Sequence, residues 1–339
     1  MLPLLDVTGS PHERGRAHGE ALREKIELAR ELWTAHTGLT PGTGDAARRA
    51  AYLGAAERWT PAVVEEMRGI AEGANTGFEA IFELNLADEL RVFDGAAHCS
   101  SLGVRVAAAA PISGQTMDTP AWFAGLRVAV RAVDEAGMGT LAFTVAGTPA
   151  LCGINSAGVS VWCNALYQLM SSPSGVPVSC VVAHLLGSPS LEAAAHFVRE
   201  VPHASGQHYL LGSPEGIVSL ECSASSVVEA RTDGPAVWHA NHPVAGSRRS
   251  DPGASSSSIA RDAFMGVALA GATSDRDLCA ILSDRTVPVA KVGGGGGDGY
   301  TLWAAVAEHR VPPRVLASAG PPSEGTWEEV VLEPGHVQS

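Results

Sequence analysis

The chain has 339 residues, of which 45% are apolar and 17% charged, which supplies a sizeable core and excludes a disordered chain. Net charge is −13, from 36 acids against 23 bases, and lysine occurs twice, at Lys25 and Lys291. A polyanion is repelled by that balance, so nucleic acid is not an expected partner.

The opening Met1–Leu5 run reaches Asp6 with no basic region before it, so no signal peptide is expected. Ser10-Pro11-His12-Glu13 has the form of a helix start, and a helix is predicted from His12 to about His36. Thr40 to Gly44 breaks it. Further helices are predicted at Asp45–Trp59, Pro61–Gly73 and Gly77–Phe93. At Cys99 the pattern turns to short strands: Ser101–Val106, Gly114–Met117, Leu126–Val133, Thr140–Val145 and Gly158–Cys163. Helices follow at Val178–Leu186 and Leu191–Glu200. Strands return at Tyr209–Leu211, Ile217–Glu221, Ser226–Ala230 and Val237–Ala240. Two helices, Ser258–Ala270 and Asp275–Leu282, precede the strands Leu302–Ala307 and Arg314–Ser318. Blocks of helices and strands without strict alternation predict a layered α+β fold. No run of about 18 apolar residues offers a membrane span. The cysteines at 99, 152, 163, 180, 222 and 279 form no CxxC pair, so a reduced, cytoplasmic protein is expected.

Familiar hydrolase signatures are missing: there is no G-x-S-x-G, H-E-x-x-H or Walker A sequence. The glycine run 293–297 precedes a strand-like segment rather than a helix, which argues against a dinucleotide site. His239 and His242 sit on a strand-like segment and would face opposite ways, a poor metal pair. No metal and no cofactor are expected. The segment His98-Cys99-Ser100-Ser101 stands where helical sequence gives way to strands. Taken alone, it reads as a buried cysteine at a strand start.

Five motifs in order change that reading. They are Gly9-Ser-Pro-His-Glu-Arg-Gly-Arg-Ala-His-Gly-Glu-Ala-Leu22; Cys99-Ser100-Ser101 with Gly114-Gln115-Thr116-Met117-Asp118 behind it; Gly153-Ile-Asn-Ser-Ala-Gly158 with Val161-Trp-Cys-Asn164; His239-Ala-Asn-His242-Pro243; and Ser255–Ser258 with Arg261. The set resembles the acyl-CoA:6-aminopenicillanic acid acyltransferase family of N-terminal-nucleophile (Ntn) enzymes, and more loosely the bile-salt and penicillin V hydrolases. The resemblance runs from Gly9 to about Pro321.

The resemblance implies a four-layer αββα sandwich, in which residues 1–98 form a helical segment wrapping the outside and 99–339 carry the nucleophile, together one domain. It implies a cut between His98 and Cys99, leaving an α/β heterodimer. The freed α-amine would serve as base; an amine of pKa about 7.7–8.0 suits that task near neutrality. Cys99 would be the nucleophile and Asp118 would orient the α-ammonium. Asn241 would donate to the oxyanion, with Asn164 in support, and Arg261 would lower the thiol pKa. Each has an ordinary alternative: a turn acid, a turn amide, a strand-end amide and a surface arginine. Ser101 could donate to the new amine. Met117, Trp122, Phe123, Trp162 and Tyr167 are candidates for the wall of an acyl pocket. Two departures from the family pattern stand out. His98 replaces the usual Gly, and Thr116-Met117 replaces Asn-Trp. The expected activity is hydrolysis of a small amide through a Cys99 thioester. The alternatives are acyl transfer to an amine, or an uncut, non-catalytic binding protein.

Overall fold

The computed structural model describes residues 2–93, 99–245, 254–287, 289–293 and 299–332. The first helix starts as the sequence predicts. Ser10 accepts from the Glu13 backbone N–H, and the Glu13 carboxylate accepts from the Ser10 N–H at 2.9 Å. The predicted single helix from His12 to His36 is two, α1 (Pro11–Ala21) and α2 (Arg23–Thr37), parted at Leu22. The reason lies in packing. α1 is locked against α4 (Pro61–Ala74), while α2 must turn to bury Ile26, Ala29 and Trp33. The α1/α4 crossing is a backbone contact. A Cβ on Gly15 would lie 1.9 Å from the Glu66 carbonyl, and one on Gly69 would lie 2.1 Å from the His12 carbonyl. The Gly and His of the opening motif therefore have a structural meaning. Gly15 and Gly19 permit the crossing, and buried His18 accepts from the Gly147 N–H at 3.1 Å.

Between these helices lies α3 (Ala46–Trp59), capped by Asp45. The helix predicted for Gly77–Phe93 ends early, as α5 (Phe78–Leu84). Beyond it the chain is drawn off the helical path by outside partners. Asn85 donates to the Gly147 carbonyl, and the Glu89 carboxylate accepts from the Val178 N–H at 3.0 Å and from Ser205 Oγ at 2.8 Å.

Two sheets follow. The larger is ordered β1 (Leu4–Thr8), β4 (Arg127–Val133), β5 (Gly139–Val145), β6 (Cys152–Asn155), β7 (Ser160–Ala165), β8 (Gln207–Ser213), β9 (Gly216–Ser223) and β10 (Ser226–Glu229). The smaller is ordered β11 (Ala236–His239), β2 (Ser100–Val104), β3 (Ile112–Thr119), β12 (Tyr300–Glu308), β13 (Arg314–Ala319) and β14 (Glu328–Glu329). All pairings are antiparallel except β1 with β4. The sheets face each other. Trp162 Nε1 of β7 donates to Ser113 Oγ of β3 at 2.7 Å, and Trp303 of β12 reaches Cys152 of β6. Helices α6 (Val178–Leu185) and α7 (Leu191–Glu200) cover the larger sheet, and α8 (Ser256–Ala268) and α9 (Asp275–Leu282) cover the smaller. The architecture is thus α+β, a four-layer αββα sandwich with a helical opening segment. That segment does not only wrap the outside, because its β1 is a strand of the larger sheet. One apolar core joins both segments, from Ile26, Ile70 and Ile81 to Phe143, Trp162 and Trp303. No helix among the described residues is long and apolar enough to cross a membrane.

Candidate active site

Cys99 immediately precedes β2, the second strand from the edge of the smaller sheet. In the β2–β3 register Ser100 faces Thr116, so the next step brings Cys99 beside Met117 and Asp118. The Cys99 sulfur lies 3.5 Å from Met117 Sδ and 3.7 Å from the Asp118 carbonyl oxygen, within reach of either acceptor. It borders a small pocket with apolar walls from Phe93, Met117, Leu151 and Val182. The polar lining includes Asp118, Asp88, Gln207, Thr119 and Ser179. Burial, then the charges of Asp118 and Asp88, push the thiol well above its ordinary value; Arg261 pulls it down by less. Cys99 is 4% exposed, so the thiol in this form is a protonated, sheltered group.

Asp118 is 1% exposed. Its Oδ1 accepts from Thr301 Oγ1 at 2.5 Å, whereas its Oδ2 is buried with no hydrogen-bond partner among the described residues. Burial raises its pKa to about 7, against the Thr301 hydrogen bond and the charges of Arg261 and Lys291. Thr301 is itself oriented. Its hydroxyl oxygen accepts from the Lys291 N–H at 2.7 Å, which leaves its proton for Asp118.

Arg261 enters from α8, whose start is the serine run, with Ser255 as N-cap. The guanidinium is 1% exposed and donates to the Cys99 carbonyl and Ser100 Oγ, both at 2.8 Å, and to Asn241 Oδ1 at 3.0 Å. Asn241 Nδ2 donates to the Ala165 carbonyl at 3.1 Å. Arginine only donates and a carbonyl only accepts, so the amide orientation is fixed and one N–H of Nδ2 remains uncommitted. Ser258 supports the loop, accepting from the Asn241 N–H at 2.8 Å and pairing with His242 at 2.7 Å.

Asn164, on β7, is fully buried between the sheets. Its Oδ1 accepts from Ser101 Oγ at 2.6 Å and faces His208 Nδ1 at 3.0 Å. Ser101 is thereby committed to Asn164. Trp162 shares that interlayer side, bonded to Ser113, and does not line the pocket; Cys163 between them does. Trp122 stacks between His36 and Phe123, and Phe123 meets pocket residue Phe93 edge-on, so Trp122 stands two rings back. Tyr167 donates its hydroxyl to Asp88 Oδ1 at 3.0 Å. His98 lies outside the described residues. Cys99, Asp118, Arg261 and Asn241 thus form one connected group, with Met117 alongside.

Sequence reasoning missed Asp88, Ser100, Thr301 and the buried chain His208–His239–Glu221. His208 and His239 stack at 3.9 Å, and His239 Nε2 lies 2.9 Å from Glu221 Oε1. Ser100 and His239 carried a sequence signal, each through its motif.

Comparison with known proteins follows the same line. The model of the acyl-coenzyme A:6-aminopenicillanic acid acyl-transferase family matches residues 132–312, a span that holds Asn164, Asn241 and Arg261. The chain is 29% identical over 253 residues to the 40 kDa form of acyl-coenzyme A:6-aminopenicillanic-acid-acyltransferase of Emericella nidulans, covering 70% of this chain and 69% of that one. The solved penicillin V acylase from Agrobacterium tumefaciens is also similar, with 14% identity, 65% of this chain and 83% of that chain covered, and a TM-score of 0.39. With the family model spanning more than half of its length, the chain belongs to the acyl-coenzyme A:6-aminopenicillanic acid acyl-transferase family.

Proposed function

We propose that this chain is an Ntn cysteine amide hydrolase that cuts itself before Cys99 and then works through a Cys99 thioester. The observation that carries the reading is the Asp118 carboxylate, buried near the Cys99 thiol with one oxygen unpartnered among the described residues. A buried acceptor without a donor is costly and uncommon. An α-ammonium freed at Cys99 is the donor it would take.

In self-processing, the sulfur attacks the carbonyl carbon of residue 98 and the C–N bond breaks. The released amine takes the proton, and water hydrolyses the thioester. In turnover, the α-amine accepts the thiol proton and sulfur adds to the substrate carbonyl. The free N–H of Asn241 donates to the oxyanion, and the leaving amine departs with the proton. Arg261 holds Asn241 and the Cys99 carbonyl in place, and Asn164 braces the strand from the interlayer side through Ser101. Water attack on the thioester gives hydrolysis. Attack by an amine gives acyl transfer, the second reading, which the name of the Emericella relative favours. The two pieces, 1–98 and 99–339, stay together as an α/β pair.

Intact-mass measurement and a panel of small amides and acyl-CoA thioesters test this. Two masses for the wild type and one for Cys99→Ala are expected, with turnover confined to the cut protein. A single full-length polypeptide with full activity overturns the free-amine mechanism.

A further inference from the structure

We propose that the Cys99 pocket selects substrates whose acyl group is short and apolar and ends in a protonated amine, with Asp88 as its receptor. The proposal deepens the assignment of Cys99 as nucleophile and rests on it.

The pocket has apolar walls and two carboxylates. Asp118 belongs to β3, beside the nucleophile, and is reserved for the α-ammonium. Asp88 comes from a different part of the chain, the turns after α5. Both donors bonded to its carboxylate converge on one oxygen: Tyr167 Oη at 3.0 Å and Gln207 Nε2 at 3.4 Å. Its Oδ2 takes no hydrogen bond among the described residues, and neither bonded donor is a cation. Arg91 is held elsewhere, over the Tyr167 ring and on the Tyr167 carbonyl at 2.9 Å. Glu89, next in sequence, is engaged by Val178 and Ser205 and adds a like charge.

Asp88, a carboxylate with no bonded cation in the lining of a largely apolar pocket, is a specificity element. It favours an ammonium by a charge-assisted hydrogen bond and rejects a carboxylate by repulsion. Burial holds Asp88 above the usual carboxylate range, against its hydrogen bonds from Tyr167 and Gln207, and a cation seated there would relieve it. Asp88 is also one of the charges that push the Cys99 thiol up. The correct substrate therefore eases thiolate formation as it binds.

Matched amides of one acyl length, ending in methyl, ammonium or carboxylate, test the inference. The processed wild type should prefer the ammonium form over the methyl form by about ten-fold or more in kcat/KM, and discriminate against the carboxylate. In Asp88→Asn that ratio should approach about one. Reading a ratio within one protein cancels any general loss of rate. The same amides are titrated calorimetrically into Cys99→Ala, which does not consume them, and into the Cys99→Ala, Asp88→Asn double variant. Tighter binding of the ammonium form, lost in the double variant, supports the proposal. Equal binding of the methyl and ammonium forms by Cys99→Ala overturns it, as does a preference that survives Asp88→Asn. Failure of the self-cut wild type to turn over any of them counts against the nucleophile, while calorimetry still decides the subsite.

Discussion

Arg261 ties Asn241 to Cys99: one nitrogen of the guanidinium donates to the Asn241 amide oxygen at 3.0 Å, and the other to the Cys99 carbonyl at 2.8 Å. The planar fork therefore sets the distance between the assigned nucleophile and oxyanion donor, although Arg261 and Cys99 are 162 positions apart.

Asn241→Ala removes the uncommitted amide N–H. Loss of one oxyanion donor costs roughly 10²–10³ in rate, so kcat should fall by that order while the protein still cuts itself, more slowly. An Asn241→Ala enzyme turning over at the wild-type rate removes Asn241 from the mechanism.

Arg261→Ala leaves three buried acceptors without their donor, each at a cost of about 1–3 kcal/mol. Urea denaturation should register a loss of several kcal/mol. Arg261→Lys keeps the charge but lacks the fork, and should recover stability better than kcat.

Asp118 gives a pH signature in the uncut chain. Its pKa rises from an ordinary 3.8 to about 7 when buried. Between these values the folded chain keeps a proton that the unfolded chain loses. The associated stability is complete below the lower value and is lost as pH climbs through the upper one. Cys99→Ala protein should therefore weaken between about pH 4 and pH 7, and adding Asp118→Asn should flatten the slope. In the cut wild type, the neighbouring ammonium should remove that slope. Identical slopes for Cys99→Ala with and without Asp118→Asn would refute the burial of an unpaired carboxyl.

Two glycine substitutions should act with opposite signs on the melting temperature. Gly69→Ala forces a Cβ to 2.1 Å from the His12 carbonyl, and should cost about 1–3 kcal/mol or more. Gly54→Ala, in the middle of α3 with nothing within 4 Å of the new carbon, should stabilise by up to about 1 kcal/mol.

What could be read in the sequence was local. The Ser10–Glu13 cap, the helices capped by Asp45 and Ser274 and most strands of both sheets carry their signals within a few residues. The ordered motifs also pointed to Cys99, Asp118, Asn241 and Arg261, which the fold brings together. Thr301 was invisible because its bond to Asp118 spans 183 positions and a threonine in a strand is unremarkable. Asp88 lay in a stretch read as helix, whose true path is set by Asn85 and Glu89 reaching partners far along the chain. Trp162 was expected in the wall of the acyl pocket. Strand alternation puts it and Asn164 on the interlayer side and leaves Cys163 to the pocket.

The parallel pairing of β1 with β4 spans the proposed cut. Residues 4–8 lie beside residues 127–133, so the first segment completes a sheet built from the second. With the proposed cut before Cys99, the same association would be bimolecular. The uncut Cys99→Ala chain should recover from denaturant at any dilution, whereas recovery of the processed pair should depend on protein concentration.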